Sequence, residues 1–325
     1  MSVVHAMAAA ATGTGVHALA SRTPERANER AAQFGAAVVT FDELPAGADA
    51  VVVCTPPDRH AHDTLQAIRA GVVVMVEKPL ATTLGEADQL VDAGGRLLYA
   101  ENLAFSPLVV ATHQLVSQIG QLEFIEIRQL SPRPTWGDFL DPARGGGVLF
   151  DLGSHAVALA LLLAGADAPV SVEATLSRST DIHVDDDAEV FITFASGLRA
   201  RIETNWTNPD AVWDIQVSSS TGVVRTELMP QPSIEHNGDP IALAPTLSDV
   251  DPHLDQLGYI AQMQMLQDIV NGSPSPIDAG FGRRVLEVLC AAYSAARVPG
   301  STVPLPFTGA RNLTPHQLWS DTVGP

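Results

Sequence analysis

Short apolar runs alternate with amphipathic stretches through residues 16–101. Residues 16–20 read as a strand and 24–34 as a helix with Arg and Glu along one side. Residues 50–54, Ala-Val-Val-Val-Cys, form a continuous apolar run, the pattern of a strand buried on both faces. A helix over 60–70 ends at Gly71, a buried strand follows over 72–76, a helix over 83–93 and a last strand over 97–100. This alternation with short loops predicts an α/β domain built on a doubly wound parallel sheet.

After Asn102 the pattern changes. Residues 108–119 read as a helix and 123–129 as a strand. Half-buried strands then recur over 188–194, 198–206 and 213–219 with no helical pattern between them. Such alternation predicts a large, open, mainly antiparallel sheet with one face covered. Two helices over 257–270 and 279–297 close the chain, and 230–255, rich in Pro, Asp and Ser, reads as a long surface loop. Two domains are therefore expected, 1–101 and an α+β domain over 102–325, in a chain of 325 residues long enough for two cores.

Composition narrows the class. A formal net charge of −19 argues against nucleic acid and anionic membrane as partners. The two cysteines, Cys54 and Cys290, both lie inside apolar runs and offer neither a disulfide framework nor metal spacing. No basic residue precedes the apolar N-terminal stretch, and the longest apolar run, 156–166, is shorter than a bilayer span. The expected location is the cytoplasm.

Chemistry concentrates in two places. Glu77-Lys78-Pro79 ends a buried strand, and a glycine triplet at 145–147 leads into Asp151 and His155. Asp151 and His155 are four residues apart, so on a helix they share a face. A carboxylate beside an imidazole orients the ring and favours its charged form. His155 then suits taking a proton from a hydroxyl while hydride leaves the same carbon, and Lys78 suits polarising that oxygen. Taken singly, each has a plainer reading: a strand-end lysine, a helix N-cap and a core histidine.

Cys54-Thr55-Pro56-Pro57 before His60, Glu77-Lys78-Pro79, and the glycine triplet with Asp151 and His155 occur in that order. With the late Gly258-Tyr259 and the Val303-Pro304-Leu305-Pro306 tail, the chain resembles the Gfo/Idh/MocA oxidoreductase family nearly end to end. The resemblance implies an N-terminal Rossmann domain for NAD or NADP and a C-terminal sheet that supports the substrate and the contact of a homodimer or homotetramer. It implies an oxidoreductase acting on a sugar, inositol or related polyol, with Lys78, Asp151 and His155 at the catalytic positions. Thr55, Pro56, Pro57, His60, Glu77, Lys78 and Asn102 fall where the family binds its cofactor. Arg133 and Trp136 are candidates for the substrate; Trp136 equally suits packing its loop.

One expected part is missing. A dinucleotide fold begins with a strand and Gly-x-Gly-x-x-Gly, but only four residues precede His5, which aligns with a helix after that turn. Gly13-Thr14-Gly15 follows the helix and reads as an ordinary turn. Three outcomes are open: a start upstream, strands that close the gap, or a donated strand. The other function compatible with the gap is a non-catalytic homologue that has lost dinucleotide binding. Ser21-Arg22-Thr23 stands where NAD users carry an acid, and a guanidinium there favours NADP over NAD. His183 with Asp185, Asp186 and Asp187 reads as a solvated turn before a strand rather than a metal cluster, and no metal is expected.

Overall fold

The computed structural model describes residues 1–243 and 251–320. The N-terminal part runs α1 (Ser2–Ala11), β1 (Ala18–Leu19), α2 (Pro24–Phe34), β2 (Ala37–Val38), β3 (Ala50–Val53), α3 (Pro57–Arg69), β4 (Val73–Glu77), α4 (Leu84–Ala93) and β5 (Leu97–Ala100). Every strand pair here is parallel. All five residues of β4 and all four of β5 are buried, as their unbroken apolar runs require. Helix α3 starts at Pro57, three residues before the expected His60, because a proline at the first helical position costs no hydrogen bond. Thr83 and Glu86 cap α4 reciprocally.

β1 and β2 form a two-stranded sheet of their own, separate from the β3-β4-β5 sheet, so the strands have not closed up. β1 is also shorter than the expected strand over 16–20, at two residues.

The second part begins with α5 (Pro107–Val116), β6 (Leu122–Pro132), α6 (Val148–Ala164), β7 (Pro169–Ser177), β8 (Asp187–Phe194), β9 (Arg199–Asn205), β10 (Thr207–Ser219) and β11 (Val223–Met229). It continues with β12 (Ser233–His236), β13 (Asp239–Pro240), α7 (Pro252–Gln256), α8 (Tyr259–Val270), α9 (Ala279–Ala296), β14 (Thr302–Pro304) and α10 (Pro315–Trp319). The sheet has nine strands in the order β13-β12-β11-β10-β6-β9-β8-β7-β14. It is antiparallel except where β6 and β9 pair in parallel at its centre. The long loop expected over 230–255 instead holds the β12–β13 edge and helix α7, and residues 244–250 of it lie outside the described residues.

Ile125, Ile127, Val190, Ile192, Ala200, Ile202, Ile215 and Val217 cover the buried face of this sheet, with α6 against β6 and β9. The opposite face carries Glu126, Arg128, Glu189, Arg201, Glu203 and Asp214, with Arg201 reaching three of those carboxylates at 2.6–3.2 Å. Helix α6 with its preceding turn is long and apolar enough to cross a membrane, but it lies buried in this core. The C-terminal segment returns to the first part: Arg283 of α9 and Arg311 both pair with Asp88 of α4, and Tyr99 donates its backbone N–H to Ile277 O.

Candidate active site

Parallel sheets collect ligands at the carboxyl ends of their strands. At that edge, β4 ends in Glu77 with Lys78 directly after it, and its neighbour β5 is followed by Glu101. Helix α6 lies across both ends, presenting Asp151 and His155 one turn apart. Lys78 Nζ donates to Asp151 Oδ1 at 2.5 Å and to its backbone oxygen at 3.0 Å. His155 Nδ1 lies 2.7 and 2.9 Å from the two carboxylate oxygens of Glu101. Each strand end thus holds one member of the helical pair.

This corrects the expected partnership. Asp151 does not orient His155; it is committed to Lys78, and the fully buried Glu101 orients the imidazole. A carboxylate at Nδ1 places the ring proton there and leaves Nε2 as the basic atom, which has no hydrogen bond among the described residues. The helix begins at Val148 with Gly147 as its N-cap, so Asp151 lies inside it and is no cap.

The start of α6 is fixed by Asp185. Its backbone oxygen accepts from Val148 N, its Oδ2 from Leu149 N at 2.8 Å, and its Oδ1 from the Tyr293 hydroxyl at 2.7 Å. Gly147 has φ +119, and a Cβ there would run into both the Asp185 carboxylate and the Tyr293 hydroxyl. Burial raises the Asp185 carboxyl to about 6 against the lowering by its donors. Asp185 is wholly buried and Asp186 nearly so, contrary to the expected solvated turn. Asp186 turns instead to Ser179 and Arg133, and Asp187 is the exposed member. No group of three candidate metal ligands occurs among the described residues.

The remaining expected site residues divide. Thr55, Pro56 and Pro57 follow β3 at the same sheet edge, and the Thr55 hydroxyl is buried without a partner. His60 is buried, with its ring nitrogens 2.7 Å from the carbonyl oxygens of Thr55 and Pro79. It ties the two strand-end loops together rather than facing a ligand, and burial holds it below the usual histidine range. Glu77 is buried 2.5 Å from His5 Nε2; burial opposes its charge, but the histidine contact prevails and lowers its pKa. Asn102 spends its amide donor on Leu257 O. Ser21, Arg22 and Thr23 follow β1, with Arg22 exposed and without an ion pair among the described residues. Arg133 is engaged by Asp181 and Asp186, while Trp136 is 68% exposed and stacks edge-on against Phe139.

A nicotinamide dinucleotide fits part of this edge. The orphaned Thr55 hydroxyl, with Pro56, Pro57 and Lys78 at the neighbouring strand ends, would hold it there. The described residues place no glycine-rich turn between a strand and α1, since Gly13 and Gly15 lie beyond its C-terminus.

Fold and site together define an oxidoreductase with a Rossmann-like parallel part and a large mixed sheet, its candidate catalytic side chains at the carboxyl edge of β3-β4-β5. Residues 2–96 match the family model of an oxidoreductase NAD-binding Rossmann fold, and 111–225 that of a GFO/IDH/MocA C-terminal domain. Inositol 2-dehydrogenase of Rhizobium meliloti is 32% identical over 233 residues, 67% of this chain and 69% of that protein. D-xylose 1-dehydrogenase (NADP(+)) 2 of Haloferax volcanii is 31% identical over 70% of each chain. Among solved structures, GenD2 from gentamicin A biosynthesis, in complex with NAD, superposes with a TM-score of 0.82 at 28% identity, covering 93% of this chain and 92% of its own. The chain belongs to the Gfo/Idh/MocA family of oxidoreductases.

Proposed function

We propose that the protein is an NAD(P)-dependent dehydrogenase that oxidises a secondary hydroxyl of a sugar, inositol or related polyol, or reduces the matching ketone. The observation that carries this reading is the pair of contacts on one face of α6, the partly buried Lys78–Asp151 and the buried His155–Glu101. His155 Nε2 takes the hydroxyl proton as the carbon loses its hydride, and returns it in reduction. Glu101 accepts the Nδ1 proton's hydrogen bond and stabilises the charged ring, while Asp151 holds the Lys78 ammonium where it polarises the reacting oxygen. The nicotinamide, when bound, supplies the hydride acceptor. The relatives that act on inositol and xylose support the substrate class.

Finer features follow the same reading. The exposed Arg22 beside Ser21 and Thr23 supports NADP over NAD, as does the NADP-dependent xylose relative. The cofactor domain spans 1–101, and the charged outer face of the nine-stranded sheet is the contact of a homodimer or homotetramer in the cytoplasm. The test is titration of the protein with NADPH and NADH by fluorescence, then absorbance at the nicotinamide band with myo-inositol, D-xylose and D-glucose. Micromolar NADPH binding and reduction of NADP by one polyol are expected; binding of neither nucleotide would overturn the reading.

A further inference from the structure

One row of the nine-stranded sheet breaks its own pattern. Its helix-covered face is apolar along β6, β9 and β10, through Ile125 and Ile127, Ala200 and Ile202, Ile215 and Val217. One position further toward the α6 N-terminus, all three strands switch to polar. Trp213 of β10 is paired with Gln129 of β6, and Gln129 with Thr204 of β9, so the three side chains stand abreast on this face. The row ends in apolar Met229 on one side and Ala188 on the other.

None of these polar groups is satisfied. Gln129 is 1% exposed, and both its amide nitrogen and its amide oxygen are buried without a hydrogen-bond partner. Thr204 is 0% exposed, and its hydroxyl is equally unpartnered. The Trp213 indole nitrogen is buried in the same condition. Proteins avoid burying one such group, and here three neighbours share the fault. The Trp213 ring lies 6.3 Å from the His155 ring, centroid to centroid, at an interplanar angle of 34°. The Trp213 end of the row therefore lies beside the His155 ring.

Granted the dehydrogenase chemistry proposed above, we infer that Gln129, Thr204 and Trp213 form the subsite for the substrate's non-reacting hydroxyls. The indole offers a donor, the amide a donor and an acceptor, and the threonine hydroxyl either role. That set matches adjacent hydroxyls of a ring polyol, each of which both donates and accepts. The row contains no cation. The nearest candidates are spent: Lys78 on Asp151, and Arg133 on Asp181 and Asp186. No side chain of the row is charged, which suits the uncharged hydroxyls of a polyol. Discrimination is for hydroxyl count, since a site built to hydrogen-bond a hydroxyl rejects an analogue lacking it.

The experiment uses the 325-residue protein and its Gln129→Leu and Thr204→Val variants. Binding of myo-inositol, D-xylose and D-glucose is measured by calorimetry, and oxidation of the same three with NADP by absorbance. At least one polyol binds the wild type, and Gln129→Leu lowers its affinity and kcat/KM about 10- to 100-fold while NADPH affinity stays within about twofold. The corresponding deoxy analogue loses far less from the same substitution. The melting temperature of Gln129→Leu is equal or higher, because no bond within the protein is removed. Failure of all three polyols to bind the wild type overturns the subsite. Variants that bind polyol normally, or that lose polyol and deoxy analogue equally with a lowered melting temperature, overturn it as well. Polyol binding that Gln129→Leu abolishes, in a wild type that oxidises nothing, upholds the subsite and sinks the dehydrogenase reading instead.

Discussion

Replacing Asp185 separates two roles that its carboxylate combines at the root of α6. The folded protein holds this carboxyl at about 6, against 3.8 when free, because burial disfavours its charge. A raised acid binds its proton more tightly folded than unfolded, so stability from this group is greatest at low pH. It falls as pH rises from the unfolded value toward the folded one. The whole difference is about 3 kcal/mol, about half of it between pH 5 and pH 7.5. Asparagine cannot ionise, yet its Oδ1 can accept from Leu149 N while its amide donates to the Tyr293 oxygen, so of the two donors only the Tyr293 O–H loses its acceptor. Asp185→Asn therefore loses this pH slope and gains stability over the wild type as pH rises to 7.5. Alanine leaves the Leu149 N–H and the Tyr293 O–H without an acceptor, at roughly 1–3 kcal/mol each. Urea unfolding at pH 5 and pH 7.5, followed by tryptophan fluorescence, measures both effects. An asparagine variant with the wild-type slope, or one as damaged as alanine at pH 7.5, would refute the reasoning.

Other substitutions probe the site directly. Glu101→Ala leaves the His155 Nδ1 proton unheld, and kcat/KM with a polyol substrate falls at least about 100-fold with NADPH affinity unchanged. Lys78→Met removes the cation at the reacting oxygen, and steady-state kinetics show kcat reduced about 100-fold or more. Gly147→Ala forces a side chain into φ +119 against Asp185 and Tyr293, and thermal unfolding registers a loss of about 3 kcal/mol or more. Arg22→Ala weakens NADPH about tenfold in a fluorescence titration and leaves NADH as it was; equal effects on both would remove the NADP preference.

Much of the fold was legible in the chain because burial leaves a periodic record. The unbroken apolar runs at 50–54, 72–76 and 97–100 became strands of one parallel sheet, and the alternation after residue 186 became the large sheet. The 230–255 segment misled because two- and four-residue edge strands are too short to show a period. Among the reactive groups, Lys78, Asp151 and His155 stood out by motif, and α6 does bring them to one edge. Glu101 carried no motif. Its one signal was position, an acid directly after a buried strand, as Lys78 is after the neighbouring one. Asp185 was hidden in a run of three aspartates, where nothing local says which one turns inward.

The sequence by itself determined which residues share a strand or a helix face, since those relations follow from fixed periods of 2 and 3.6 along the chain. It put Asp151 and His155 on one face of one helix. Only the tertiary structure decided that they do not serve each other, because two strand ends meeting that face offered each a closer partner of its own. The unsatisfied row of Gln129, Thr204 and Trp213 likewise depends on strand register across β9, β6 and β10. Register between segments so far apart in the chain is set by the packing of whole faces, and no local pattern encodes it.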